Sequence, residues 1–405
     1  MYLKEFPLEF EQALPILQQI TTNGYEAYFV GGSVRDHLLG KAIADVDIAS
    51  SAFPAEIKTI FPTTIDTGIK HGTVTVRWHQ RNYEVTTFRT ESGYQDFRRP
   101  DHVTFVRSLL KDLQRRDFTI NALAVRADGL VIDEFTGLAD LQAHLIRAVG
   151  NGDERFHEDA LRMMRAVRFS SQLDFRIEAA TFASLIKMAP LLEKIAVERI
   201  HSEFVKMMLS PHWQQGWSQF VSSGLIQHTP FFKNRSAARP GFAQQDAQAL
   251  PDETSVWLLL ALAMNLTYQQ TQQLLRQWKT ANQVQQDTLA AWNFSQLLKQ
   301  NRTLTASELY QADPKMLQRL TAVGANLAWQ TDFRQLTAAY QQLPIKNDHE
   351  LALNGGDLIQ QLGLKPGPQL GQLLAAVKTA VLTGVVENQK SDLIHWSRKR
   401  LRDMI

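Results

Sequence analysis

Two aspartates one residue apart, Asp45 and Asp47, are the side chains of this sequence best suited to chemistry. With Val46 between them, they read as lying inside a short strand, Asp45-Val46-Asp47. Side chains alternate along a strand, so residues two apart project from one face. Two carboxylates that close repel each other unless a cation lies between them. Mg²⁺ takes few carboxylates and completes its shell with substrate phosphate oxygens, which suits a nucleoside triphosphate. Two such ions would activate an attacking hydroxyl and neutralise a departing pyrophosphate. Glu84, in the run Tyr83 to Phe88, is a candidate third carboxylate whose facing the sequence leaves open.

Gly31-Gly32 precede this pair and are followed by Ser33-Val34-Arg35-Asp36. A glycine pair that closes a strand and opens a helix offers backbone N–H groups to phosphate. Arg35, one turn on, adds a charge-assisted donor. Taken singly these signals are weak, because a D-x-D on a strand is usually a surface feature and a Gly-Gly usually a turn. The ordered combination of glycine pair, helix and D-x-D is much rarer. A second group, Asp159, Arg162, Arg165 and Arg168, recurs every three residues and reads as a slowly rotating stripe on one helix. Its bland alternative is a set of surface ion pairs, each contributing only ~0.3–0.5 kcal/mol.

The elements that must carry these residues are short at first. Apolar positions Phe10, Leu14, Leu17 and Ile20 give a helix over 9–22, closed by Asn23-Gly24. Runs rich in β-branched and aromatic residues follow at 28–30, 46–48, 73–78 and 83–88, with a helix at 55–60 between them. A small mixed sheet with packed helices is expected over 1–148, an α+β head. From Glu158 onward the period is helical, with breaks at Pro211, Pro230, Pro240-Gly241 and Pro251, and joints at 233–253 and 344–349. The Gln-rich stretch 268–286 reads as a solvated helical surface, because Leu274, Leu275 and Trp278 interrupt it.

Composition excludes several classes. The chain has 405 residues, too many for one core, and a formal net charge of only +2, so any RNA-binding surface must come from local clustering. It has no cysteine, which rules out disulfides, thiolate nucleophiles and cysteine zinc sites and fits a reducing cytoplasm. The first residues lack a signal-type apolar core, and the most apolar run, Val256 to Leu266, is far short of the ~20 residues that span a bilayer. That run reads as a buried helix, and no membrane partner is expected. The 11 histidines show no paired metal spacing, and His71 and His157 read as ordinary core or surface residues.

In order, the stretches GGSVRDHLLG and ADVDIASSA within 31–52, RRDFTINALA at 115–124, GNGDERFHEDALRMMRAVRF at 150–169 and AVERIHSEF at 196–204 resemble the class II tRNA nucleotidyltransferase/poly(A) polymerase family, within the polymerase-β-like superfamily. LNGGDLIQQLGLKPGPQLGQLL at 353–374 looks like the tail of its bacterial CCA-adding branch. Residues 206–345 carry no usable motif. The resemblance implies a nucleotidyltransferase head at 1–148, then an all-helical neck at 149–206, body at 207–345 and tail at 346–405 that binds tRNA. It makes Asp45 and Asp47 the catalytic Mg²⁺ ligands. Gly32, Arg35 and Arg116 would contact the nucleotide, Asp159 and Arg162 would recognise its base, and Arg165 and Arg168 would lie nearby. Glu198-Arg199 would stabilise the adjoining turn. Oligomeric state stays open, a homodimer included.

Base selection by such a pair has a direct chemical reason. Cytosine and adenine each carry an amino donor beside a bare ring nitrogen, which an ionised Asp and an Arg complement. Guanine and uracil reverse both groups, and each buried mismatch costs ~1–3 kcal/mol. Protein alone can then act as template for CTP and ATP. Arg116, either a partner of Asp112 or Asp117 or a triphosphate contact, favours the second reading by its place before Phe118 to Ala122. Within the family the resemblance implies addition of C, C and A to the 3′ end of tRNA, since 89–106 resembles the flexible loop of CCA-adding enzymes. The alternatives are A-only or CC-only addition, poly(A) synthesis, and, in a different class, a non-catalytic RNA-binding protein. Gly367 to Gly371 suggests a helix N-terminus able to hold a tRNA phosphate. Arg98-Arg99 with Arg107 to Arg116 forms a basic cluster near the expected acceptor end, while Lys390 to Arg402 reads first as a solvated face.

Overall fold

The computed structural model describes residues 1–405 except 96–98, 234–241, 243–247, 301 and 404–405, and the side chains of 92–102 and 403. The chain forms two compact units, Met1–Ala237 and Ala238–Ile405.

In the first unit, α1 (Leu8–Thr22) buries Phe10, Ala13, Ile16, Leu17 and Ile20, the three-and-four spacing of one helix face. Phe10 stacks on Phe29 of β1 (Ala27–Val30) with ring centroids 4.3 Å apart. β1 is buried at all four positions because it is central in a seven-stranded sheet. On one side it pairs antiparallel with β2 (Asp47–Ser50), and β2 pairs in parallel with β5 (Arg81–Thr87). β5 continues antiparallel to β4 (Thr73–Trp78), and β4 to β3 (Thr64–Gly68). On the other side β1 meets β8 (Leu123–Arg126), which pairs with β9 (Val131–Asp133). Between β1 and β2 runs α2 (Gly32–Leu38), and α3 (Pro54–Ile60) follows β2. Tyr28, Val30, Ala49, Phe88, Leu109, Leu113, Ala122, Ala124 and Val149 form a second core cluster that reaches α4 (Leu109–Gln114). The expected loop at 89–106 is a hairpin where its backbone is described, β6 (Arg89–Gln95) against β7 (Arg99–Phe105). Its tip, with the side chains of Arg98 and Arg99, lies outside the described residues.

After α5 (Gly137–Gln142) come α6 (Gly152–Glu158), α7 (Leu161–Leu173), α8 (Ala179–Met188), α9 (Val197–Met208) and α10 (Trp213–Ser222). α7 packs against α9 and α10 and is buried along most of its length. A short parallel pair, β10 (Leu145–Ile146) with β11 (Arg176–Ile177), lies between α5 and α8.

The second unit is helical throughout its described residues. α11 (Glu253–Ala263) is buried on every side, as expected for 256–266, and no described helix is long and apolar enough to cross a membrane. The Gln-rich stretch folds as α12 (Tyr268–Gln277) and the start of α13 (Asn282–Leu298), with Leu274, Leu275 and Trp278 inward. After α14 (Ala306–Leu309), α15 (Pro314–Asn326) carries the buried Arg319, whose guanidinium joins Asp252 at 2.8 Å and Asp287 at 3.0 Å. α16 (Phe333–Gln341), α17 (Gly355–Leu362), α18 (Pro368–Leu382) and α19 (Lys390–Asp403) complete the unit. α18 starts one residue past Gly367, so the expected helix N-terminus is present.

Candidate active site

The chain leaves β1 at Val30 and turns through Gly31, whose φ of 71° lies in the left-handed region that favours glycine. A Cβ there would come within 3.3 Å of the Arg116 guanidinium and 3.5 Å of the Asp47 carboxylate. The turn therefore sets backbone directly against an arginine and an acid. Because β1 stops at this turn, its pairing with β2 starts at Val30 opposite Asp47. Asp45 thus precedes the strand instead of lying within it, a correction to the expected run. Asp47 stands opposite Glu84 across the parallel β2–β5 pair, which settles the facing that the sequence left open. Burial raises the Asp47 carboxyl above its usual range; Arg116 opposes this, while Glu84 and Asp45 push it further up. Three acids thus share one patch of field, although among the described residues no three such side chains converge as a metal cluster.

A cleft of about 810 Å³ runs from Asp47, Gly31 and Gly32 to Asp159, Arg162 and Arg165, all within the first unit. Eight arginines and five acids line it, so its field suits a polyanion. Gly32, Arg35, Asp47, Arg116, Asp159, Arg162, Arg165 and Arg168 are brought together there; Asp45 and Glu84 are near Asp47 without lining the cleft. His71, read from sequence as ordinary, also faces it.

The arginines are held by specific partners. Arg35 donates to Asn121 Oδ1 at 2.7 Å and to Asp36 at 2.9 Å. Arg116 donates to the Asn121 carbonyl at 3.1 Å and to Asp112 at 3.2 Å, so it is both an ion-pair partner and a cleft residue. Asp112, 1% exposed, also accepts from Arg115 at 2.7 Å; burial opposes its ionisation, but Arg115 and Arg116 hold it below the usual range. Arg165 donates to Asp117 at 2.8 Å. Asp117 is fully enclosed, which alone would raise it, yet Arg165 and the Asn121 amide bring it down to about 2. Burial lowers Arg168 to about 10 despite Glu203 at 3.0 Å. Arg35, Arg165 and Arg168 sit 4.9, 5.2 and 4.4 Å from the centre of one ring, Phe169. Arg107 and Arg115 of the expected basic cluster are engaged too, with Glu56 and with Asp112 and Glu91.

The supposed four-residue stripe is not on one helix. α6 ends at Glu158 and α7 starts at Leu161, leaving Asp159 in the break. The Asp159 carboxylate accepts from the Leu161 N–H at 3.0 Å, the kind of local side-chain bond that competes with helix continuation. It also receives Arg199 at 3.0 Å, the stabilising contact expected of the 198–199 segment. Arg162 does not bond the Asp159 side chain. Its guanidinium donates to Glu158 at 2.6 Å, to the Arg155 carbonyl at 3.1 Å and to the Arg115 carbonyl at 2.7 Å. Five N–H donors exceed three bonds, and a carboxylate accepts more than two, so both groups keep capacity for a ligand. Sequence reasoning passed over Glu158, Asn121 and Phe169 and weighed Asp117 only as a possible partner of Arg116. Of these only Glu158 carried a local signal, an acid one turn before an arginine.

The profile of the poly A polymerase head domain matches residues 27–147, that of the probable RNA and SrmB-binding site of polymerase A 174–235, and that of tRNA nucleotidyltransferase domain 2 (putative) 248–397. The CCA-adding enzyme of Limosilactobacillus reuteri is 50% identical over 97% of this chain and 98% of its own length. The chain belongs to the CCA-adding enzyme family. The CCA-adding enzyme of Lactiplantibacillus plantarum is 49% identical, covering 98% of both chains. The Bacillus stearothermophilus CCA-adding enzyme in complex with CTP superposes with a TM-score of 0.83 at 38% identity, over 98% of this chain and 99% of that one. This protein is a nucleotidyltransferase with an α+β head and a helical remainder.

Proposed function

We propose that this protein adds C, C and A to the 3′ end of tRNA from CTP and ATP, releasing pyrophosphate. The supporting observation is the continuous cleft that joins Asp47 to Asp159 and Arg162, in a chain whose full-length relatives are CCA-adding enzymes. Arg35, Arg116, Arg165 and Arg168 bind the triphosphate and hold its charge. Asp159 accepts from the amino group of cytosine or adenine, and Arg162 donates to the neighbouring ring nitrogen. Enzymes of this superfamily use divalent metal, and the acids here fit Mg²⁺: hard oxygen donors, Asp45 and Asp47 with Glu84 alongside, in mutual repulsion that a cation relieves. Held by Asp45 and Asp47, Mg²⁺ would supply the positive charge that activates an attacking 3′-hydroxyl and neutralises a leaving pyrophosphate. The head is assigned to 1–148, the neck to 149–206, the body to 207–345 and the tail, which holds tRNA, to 346–405. The protein works in the cytoplasm.

The test is nucleotide incorporation into tRNA ending at its discriminator base. Labelled CTP enters twice and ATP once, GTP and UTP do not, and Asp45→Ala or Asp47→Ala abolishes turnover. Incorporation of ATP alone would make this an A-adding or poly(A) enzyme, and full activity of Asp45→Ala would remove the metal assignment.

A further inference from the structure

Asn121 lies in the short turn Thr119–Asn121 between α4 and β8 and is 6% exposed. Its side chain is used at both ends. Oδ1 accepts from Arg35 at 2.7 Å, and Nδ2 donates to Asp117 Oδ1 at 3.0 Å. Its backbone carbonyl accepts from Arg116 at 3.1 Å. The other Asp117 oxygen takes Arg165, so a continuous chain Arg35–Asn121–Asp117–Arg165 links α2 to α7 through one amide. The turn itself is braced, with Thr119 Oγ1 donating to Asp140 at 2.6 Å and the Asn121 N–H donating to the Phe118 carbonyl at 2.9 Å.

We propose that Asn121 is a positioning residue for the nucleotide, fixing Arg35 and Asp117 together through its single amide; the proposal rests on reading the cleft as a nucleotide site. The chemistry at 121 is narrowly constrained. Arg35 is a permanent donor and needs an acceptor, whereas ionised Asp117 is an acceptor and needs a donor. Only an amide supplies both at this length. A carboxylate would turn an oxygen toward Asp117, and an aliphatic side chain would leave Arg35 and Asp117 each short of a partner in a buried place. The charged groups facing the position are Arg35 and Asp36 from α2, Arg116 and Asp117 from its own segment, and Arg165 of α7 through Asp117.

The experiment compares Asn121→Asp and Asn121→Ala with the wild-type enzyme on tRNA lacking CCA, with a thermal melt beside each. Both variants lose about tenfold in kcat/KM for CTP and for ATP, mostly through the nucleotide KM, with the tRNA KM unmoved. Folded variants with a wild-type nucleotide KM overturn the proposal, as does a deficit that raises the tRNA KM as much as the nucleotide KM. A wild-type enzyme that incorporates neither CTP nor ATP would instead remove the reading of the cleft.

Discussion

At the scale of single residues, selectivity and stability depend on different pairs. Arg162 keeps two N–H groups beyond its three internal bonds, and the proposed base contact would use those. Arg162→Ala is therefore expected to narrow the preference for CTP and ATP over GTP and UTP by about tenfold or more, while tRNA affinity stays within a factor of about two. Competition between the four nucleotides in single-turnover incorporation measures this, and an unchanged preference would show that Arg162 does not read the base. Asp117 makes a pH prediction. Its carboxyl is at about 2 in the folded protein, against an ordinary value of 3.8. A depressed folded value means the unfolded chain binds the proton more tightly, so the stabilisation is complete above about pH 4 and fades as pH falls toward 2. Asp117→Asn should cost about 2 kcal/mol at neutral pH, with the gap in melting temperature narrowing through that acid window. A gap that stays constant down to about pH 3 would contradict the ionic account.

At the scale of elements, the strand-to-helix turn at Gly31 decides where the acids stand. Gly31→Ala adds backbone strain of ~1–2 kcal/mol and also presses on Arg116 and Asp47. Gly24, at the end of α1, has a similar φ of 86° with open space around it, so Gly24→Ala carries the strain alone. Both variants should melt a few degrees lower, but only Gly31→Ala should lose nucleotidyl transfer, by about tenfold or more. Equal activities would mean that the turn is merely structural. Much of this scale was legible in the sequence: α1, β1, α3 and the buried α11 follow from period and composition, and most of the cleft-lining site residues were found from motif order. Asp159 was misread because spacing of three looks the same on one helix or across a break. Its preference for bonding a nearby N–H, visible in its residue type, was the overlooked clue. Asn121 and Phe169 were beyond local reading, since Asn121 meets Arg35 across 86 positions of sequence.

At the scale of the whole molecule, every side chain that lines the cleft belongs to Met1–Ala237. Residues 1–237 expressed alone are expected to fold and to bind CTP within about threefold of the full chain, read by calorimetry beside a thermal melt. Loss of nucleotide affinity in a folded fragment would mean that the cleft needs the second unit. The two halves of the cleft are also joined in an unusual way. Arg155 and Arg162 donate to the carbonyls of Gln114 and Arg115, the open end of α4. Those contacts are to main chain, so the proposed reader of the base is tied to the shape of the α4 terminus. A one-residue insertion near Gln114 would therefore swing the proposed selecting groups aside with every motif residue still intact.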